Sequence, residues 1–542
     1  MSATHPAIFD RNPEDALLGS SGGLKMQWFM TFGWVAIGVV WGAGADARLS
    51  NFTLDLPSTE AGVASGLRES VQQPLNWERY FAKHPELKSL KLGIVLKGTE
   101  PLMRNAISPM LPASTEKLVT AALALRHLGR DYRFENRFSA RFDPRTGVLS
   151  EVKFLVSGDP TWSNGGLFSL SAEEPGSRLA PVESWAEQVD EPRFDQLIDR
   201  LLARGVRTLL GPVSIESLRP ELDQIPRPAG WRESWKLECM AMMQTSFQSN
   251  GNCGTVAVSA GKARWITRGV RVPLKVRVYR SRSGRNSVSI TPETDTTGRI
   301  RSYVISGFIG RGTLYFDLPV HAGSDWLEAL FIEALQSRGV AVRPANPASA
   351  VPAEGVEEIR EDLSSESLLK ILTVAVQRSI NGIMDRVFFE LAMATGRPGN
   401  EVLSEGVRTL LSDPALMEGV VFADGSGLDL RNRMRPDALY SFLSGMRDVP
   451  EFADFYSTLA VAGVSGTLRT RPVLTGSSYT NGKIHGKTGT LTGIHNLAGY
   501  FEPSPGVRAE PFVVFTEGSM SPASARAALD GVVVNFAAQN AR

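Results

Sequence analysis

The 542 residues contain only two cysteines and six histidines, and the histidines are scattered. No C-x-x-C, no H-E-x-x-H and no histidine cluster occurs, which argues against a metal site. Charge of one sign is missing too: 58 basic residues stand against 57 acidic ones. That balance gives no case for a nucleic-acid partner. The apolar run Met26 to Trp41, after Lys25, is short for a spanning helix. It ends in Ala43-Gly44-Ala45 and Ala45-Asp46-Ala47, both A-x-A cleavage patterns, so it reads as a secretory signal core. An uncleaved anchor is the alternative, and membrane association stays open. The 25 residues before it are long for an n-region, which makes Met26 a candidate start. Gly19-Ser20-Ser21-Gly22-Gly23 formally matches G-x-S-x-G, but no strand precedes it, so it is set aside.

An exported chain meets an oxidising compartment. Cys239 and Cys253 lie 14 apart around Asn250-Gly251-Asn252, which reads as a hairpin-like turn. A disulfide and two buried thiols are both compatible with that spacing. An apolar fraction of 42% with 21% charged residues describes a globular protein long enough for two or more domains.

Three short strings carry the chemistry: Ser114-Thr115-Glu116-Lys117, Ser379-Ile380-Asn381 and Lys487-Thr488-Gly489. In this order they match the S-x-x-K, S-x-N and K-T-G set of serine enzymes that acylate on penicillin-like amides. Thr115 to Leu128 has helical spacing, which places Ser114 at a helix N-terminus and Lys117 one turn on, on the same face. Lys117 is the expected base, its pKa lowered by desolvation and by the second cation, Lys487. Ser379 and Asn381 stand in the turn before another helix, facing the cleft. Gly482 to Gly499 reads as strand, with Lys487 and Thr488 as carboxylate anchors. Gly489 allows close backbone approach. The N–H groups of Ser114 and Thr490 are the expected oxyanion hole.

With these strings in this order the chain resembles a family: the class C, type-4 penicillin-binding proteins, D-alanyl-D-alanine carboxypeptidase/endopeptidases of peptidase family S13. Residues 112–122 resemble its nucleophile segment; 461–469 and 486–500 are similar to two others. Ser157-Gly158-Asp159-Pro160-Thr161 and Asp424-Gly425-Ser426-Gly427-Leu428 resemble its two aspartate turns. The likeness runs from about residue 75 to the C-terminus. Two departures stand out. Ile380 replaces the usual aspartate, and Asp429-Leu430-Arg431-Asn432 displaces an arginine by one position, leaving Arg431 or Arg433 as substitutes.

The resemblance implies an α+β fold, a discontinuous penicillin-binding/β-lactamase-like transpeptidase domain with an antiparallel sheet and helices. It carries a large inserted α/β module. Spacing places a signal-bearing segment at 1–47 and catalytic parts at 48–139 and 366–542. The insertion spans 140–365, with a nested β subdomain near 255–320. Within it Leu274 to Arg280 alternates, so that its basic residues share one face. With Arg264, Arg268, Arg271, Arg282 and Arg285 this is the most basic stretch, read as a solvated face or a contact for an anionic wall polymer. The implied activity is a periplasmic DD-peptidase on peptidoglycan stem peptides, needing no cofactor and covalently inhibited by β-lactams. Ser114, Lys117, Ser379 and Asn381 are its catalytic residues; Lys487, Thr488, Gly489, Thr490 and Asp159 hold substrate. The resemblance also implies that Asp159 reaches a diaminopimelate side chain, whose amine it could pair. A β-lactamase and a catalytically inactive wall-binding protein are the alternatives.

Overall fold

The computed structural model describes residues 75–162, 192–344 and 355–541. The apolar run 26–41 and residues 345–354 of the linker expected at 345–365 lie outside them, as does the start of the helix expected from Trp185.

The first arm of the divided domain contains α1 (Trp77–Lys83), β1 (Lys91–Leu96) and β2 (Leu102–Arg104). A 3₁₀ turn, Ala113–Glu116, then runs into α2 (Lys117–Leu128). Every residue from Lys117 to Leu125 is buried, so α2 is packed on all sides rather than amphipathic.

The insertion begins with β3 (Arg137–Asp143) and β4 (Val148–Val156), followed by α3 (Pro192–Ala203), β5 (Thr208–Leu210) and β6 (Ser214–Ser217). Next come β7 (Cys253–Ser259), β8 (Lys262–Trp265), β9 (Leu274–Arg280), β10 (Ser287–Thr294), β11 (Ile300–Ile309) and β12 (Leu314–Pro319). It closes with α4 (Ser324–Ser337), β13 (Ala341–Arg343) and β14 (Glu357–Asp362). Its main sheet has the order β13-β5-β4-β3-β14, with β6 on β4, and β7 to β12 form two three-stranded sheets. The first and last strands, β3 and β14, are antiparallel neighbours. Leu363 N donates to Asn136 O and Ser365 N to Phe134 O, so the chain leaves and re-enters side by side.

The second arm supplies α5 (Leu368–Arg378), α6 (Asn381–Thr395), α7 (Gly399–Arg408) and α8 (Pro436–Met446). It continues with β15 (Ala460–Val461), β16 (Ile484–Leu491), β17 (Ile494–Phe501), β18 (Glu510–Glu517) and α9 (Pro522–Asn540). The segment expected as one strand is thus a hairpin, broken at Thr492-Gly493, where Gly493 has φ 77. The sheet shared by the two arms reads β15-β16-β17-β18-β1-β2, antiparallel throughout. β17 is buried along its whole length, which requires cover on both faces. The core formed with α2, α5, α6 and α8 takes Ala498 and Tyr500; the core formed with α9 takes Leu497 and Phe501. The fold is α+β, with the two arms of one domain carrying the inserted module.

Candidate active site

Ser114 lies in the 3₁₀ turn, and the α-helix starts only at Lys117. The continuous helix expected from Thr115 is therefore tighter at its start. A 3₁₀ turn has three residues per turn, so positions i and i+3 eclipse. Ser114 and Lys117 are brought together by that geometry: Lys117 Nζ is 2.8 Å from Ser114 Oγ. Two glycines let the surrounding backbone close on this turn. A Cβ at Gly427 would lie 1.9 Å from Ala113 O, and one at Gly489 2.7 Å from Pro112 O.

Lys117 Nζ also donates to Asn381 Oδ1 at 2.7 Å and to Ser426 O at 2.6 Å. These two partners have a chemical consequence. A neutral amine has two N–H groups and one lone pair. The carbonyl of Ser426 can only accept. Asn381 presents its oxygen because its Nδ2 donates to Met240 O at 3.0 Å. Both N–H groups of neutral Lys117 are then spoken for, and the lone pair is left facing the Ser114 hydroxyl. Burial lowers Lys117 to about 8, against the opposing pull of Asp385, Asp424 and Glu116.

Ser379 ends α5 in the left-handed region, φ 62 and ψ 41, and α6 begins two residues later with Asn381. Such a conformation costs a serine roughly 1–3 kcal/mol and persists only where packing enforces it. Ser379 Oγ accepts from Lys487 Nζ at 2.9 Å, and Lys487 also donates to Thr488 O at 2.8 Å. Lys487 is fully buried in β16 and held well below the usual lysine range, first by desolvation and then by Lys117. Thr488 Oγ1 and Thr467 Oγ1 are 3.0 Å apart, and Thr490 is exposed at the open end of the strand. Thr467 belongs to the 461–469 segment, which gave no residue-level signal of its own.

The carbonyl of Ser426 is the feature the sequence did not disclose, because a backbone oxygen has no residue signature. Its turn is tied down by two buried carboxylates. Asp424 accepts from Gly427 N at 2.7 Å, Asp429 N at 2.6 Å and Asn432 Nδ2 at 2.9 Å. Asp385, one turn along α6 from Asn381, accepts from Gly425 N at 3.1 Å. Burial, then the charge of Asp424, pushes both Glu116 and Asp385 well above the usual carboxylate range. Neither oxygen of Glu116 has a hydrogen-bond partner among the described residues. The two arginines expected as substitutes for the displaced one are engaged in their own loop. Arg431 grips Asp429 at 2.7 and 3.0 Å, and Arg433 donates to Leu430 O and Asn432 O.

The insertion walls one side of the site. Leu430 N donates to Gly230 O, and Trp231 and Trp235 pack with Leu428. Cys239 and Cys253 form a disulfide with a Cα separation of 5.5 Å, which decides the question the spacing left open. The expected hairpin around 250–252 is instead a 3₁₀ turn, Asn250–Asn252, leading into β7.

Asp159 is as buried as Lys117 and Lys487, but it bonds to its own turn and to Asn136. It is 2% exposed. Its Oδ1 accepts from Thr161 N and Oγ1 at 2.8 and 2.6 Å, and its Oδ2 from Asn136 Nδ2 at 2.9 Å. Both oxygens are committed inside the protein, which runs against the expectation that this carboxylate pairs a substrate amine.

A lysine within hydrogen-bond reach of one serine hydroxyl, with a second buried lysine bonded to a second serine, is the arrangement expected of an active-site-serine enzyme. Comparison with known proteins narrows that class. The model of the D-Ala-D-Ala carboxypeptidase 3 (S13) family matches residues 75–539, and the chain belongs to that family. It is similar to a D-alanyl-D-alanine carboxypeptidase of Actinomadura sp. strain R39, 26% identical over 527 residues that cover 92% of this chain and 91% of the relative. It is also similar to the D-alanyl-D-alanine carboxypeptidase DacB of Haemophilus influenzae, 24% identical, covering 76% of this chain and 82% of the relative. The crystal structure of penicillin-binding protein 4 (dacB) from H. influenzae shares the fold, with a TM-score of 0.59 at 19% identity over 87% of this chain and 98% of that one. The protein is a serine-type D-Ala-D-Ala peptidase of the penicillin-binding fold.

Proposed function

We propose that Ser114 is the nucleophile and Lys117 the base of a DD-peptidase acting on peptidoglycan stem peptides. Ser114 Oγ attacks the carbonyl of a D-Ala-D-Xaa amide while its proton passes to Lys117 Nζ. The oxyanion lies between the N–H groups of Ser114 and Thr490, and Gly489 keeps β16 close enough for both to reach it. Ser379, set by Lys487 and by its left-handed backbone, relays a proton to the leaving amine as the C–N bond breaks. Asn381 holds Lys117 in place. Lys487 and Thr488 hold the substrate's terminal carboxylate. Water then hydrolyses the ester, returning Ser114 and the shortened peptide. No cofactor enters these steps. β-Lactams take the same path and remain as a slow ester. The observation that carries this reading is the 2.8 Å Lys117–Ser114 contact with both other lysine partners acting only as acceptors.

Asp159 is assigned to the architecture of its turn. The disulfide suits an exported, periplasmic enzyme, since such bonds persist in oxidising compartments. No helix of the described residues is long and apolar enough to cross a membrane. Incubation with purified peptidoglycan fragments and mass spectrometry of the products tests the reading. Release of D-alanine or opening of D-Ala-diaminopimelate cross-links is expected, and hydrolysis of β-lactams alone would replace it with a β-lactamase.

A further inference from the structure

The sheet formed by β10, β11 and β9 has one face turned to solvent, and its composition is unusual. Register places three rungs side by side on that face. They are Tyr279, Phe308 and Ser287; Arg277, Ser306 and Ser289; Lys275, Val304 and Thr291. Tyr279 and Phe308 are 63% and 52% exposed, with ring centroids 6.2 Å apart. The opposite face, with Val278 and Ile305, is buried, so the aromatic pair is not surplus core. Arg280 falls in that other register, contrary to the expectation that all the strand's basic residues share one face.

The surroundings are strongly basic. Between residues 274 and 311 there are eight basic residues against two acidic ones, in a chain of net charge +1. The two acids are taken by Lys275 and Arg301. Arg277, Arg280, Arg282 and Arg285 have no ion pair among the described residues and stand exposed. Unpaired like charges at this density repel one another, and a bound polyanion would relieve that.

We propose that this face docks the glycan strand of peptidoglycan. Adjacent exposed rings offer flat apolar platforms for sugar faces. The rows of Ser and Thr hydroxyls offer hydrogen-bond partners to a hydroxyl- and amide-rich polymer. The arginines meet the carboxylates that the stem peptides carry along the strand. A lipid surface would use the rings and cations but not the ordered hydroxyl rows between them. The inference rests on the peptidoglycan reading of the site, but it concerns the polymer rather than the bond that is cut.

The test uses the full chain carrying Ser114→Ala, so that the polymer is bound and not cut. Co-sedimentation with insoluble peptidoglycan is followed across a salt series. Tyr279→Ala with Phe308→Ala should weaken binding about tenfold, and Arg277→Ala with Arg282→Ala should weaken it and flatten the salt dependence. In protein with Ser114 intact, both double variants should label with benzylpenicillin at the parent rate, which shows that they fold. Unchanged sedimentation of both variants would overturn the proposal. So would binding of the parent to anionic lipid vesicles with none to peptidoglycan. Cleavage of a soluble stem peptide is measured alongside, and its absence would count against the assigned activity and not against the docking face.

Discussion

Two turns of similar composition, Gly158-Asp159-Pro160 and Asp424-Gly425-Ser426-Gly427, dock on consecutive residues of α6. Arg386, fully buried, donates to the carbonyls of Ser157 and Gly158 at 2.9 Å each. Its neighbour Asp385 accepts from Gly425 N. In both turns an aspartate satisfies nearby donors, as short acidic side chains do at turns. The outcome differs because of where the free carbonyl points. The Asp424 turn delivers Ser426 O to Lys117. The Asp159 turn spends its carbonyls on Arg386, whose charge is compensated by Glu390. A turn becomes part of the chemistry through what its backbone faces, not through its aspartate.

The contrast can be broken most severely at the group the Asp424 turn serves. Lys117→Arg keeps the charge but cannot lose its proton near neutral pH, and acylation by benzylpenicillin should fall by about a thousandfold or more. Retention of a tenth of the parent rate would mean that another group is the base. Wild-type acylation should also depend steeply on pH. Only the neutral amine accepts the serine proton, so the rate should rise about tenfold per unit up to about 8 and then level. A flat profile between pH 6 and 8 would contradict the lowered lysine. Asp424→Ala strips the acceptor from three donors and should slow acylation by roughly ten- to a hundredfold while lowering the melting temperature. Parent-like acylation in a destabilised Asp424→Ala protein would confine the turn to a structural role.

The insertion offers a milder perturbation. Cys239→Ser with Cys253→Ser removes a closure of 14 residues and should cost about 3 kcal/mol of stability. Because Met240 O orients Asn381, a few-fold loss of acylation should accompany it, measured by stopped-flow labelling. The smallest effect is expected at Asp159. Asp159→Asn should alter peptide cleavage and penicillin acylation by the same small factor, since its bonds are to its own turn and Asn136. A selective loss on diaminopimelate peptides would restore the substrate role that its hydrogen bonds disfavour.

What the sequence made legible follows the same division. Ser114, Lys117, Ser379, Asn381 and Lys487 stood in short strings, and the fold bonds Lys117 to Ser114 and Asn381, and Lys487 to Ser379. Their convergence needed only that the strings meet. Strand-versus-helix assignment at β9, α4 and α9 followed from period. The hairpin turn at Gly493 was missed because Lys487 to Ile494 reads as one β-like run. Ser426 O, Met240 O and the buried Asp385 were invisible because each acts through a long-range backbone or burial relation.

The decisive observation is one covalent bond. Protein incubated with benzylpenicillin, then digested and mapped by mass spectrometry, should carry a single adduct on the peptide containing Ser114. Ser114→Ala, with an unchanged melting temperature, should carry none. An adduct on any other serine, or undiminished labelling of Ser114→Ala, would contradict the account.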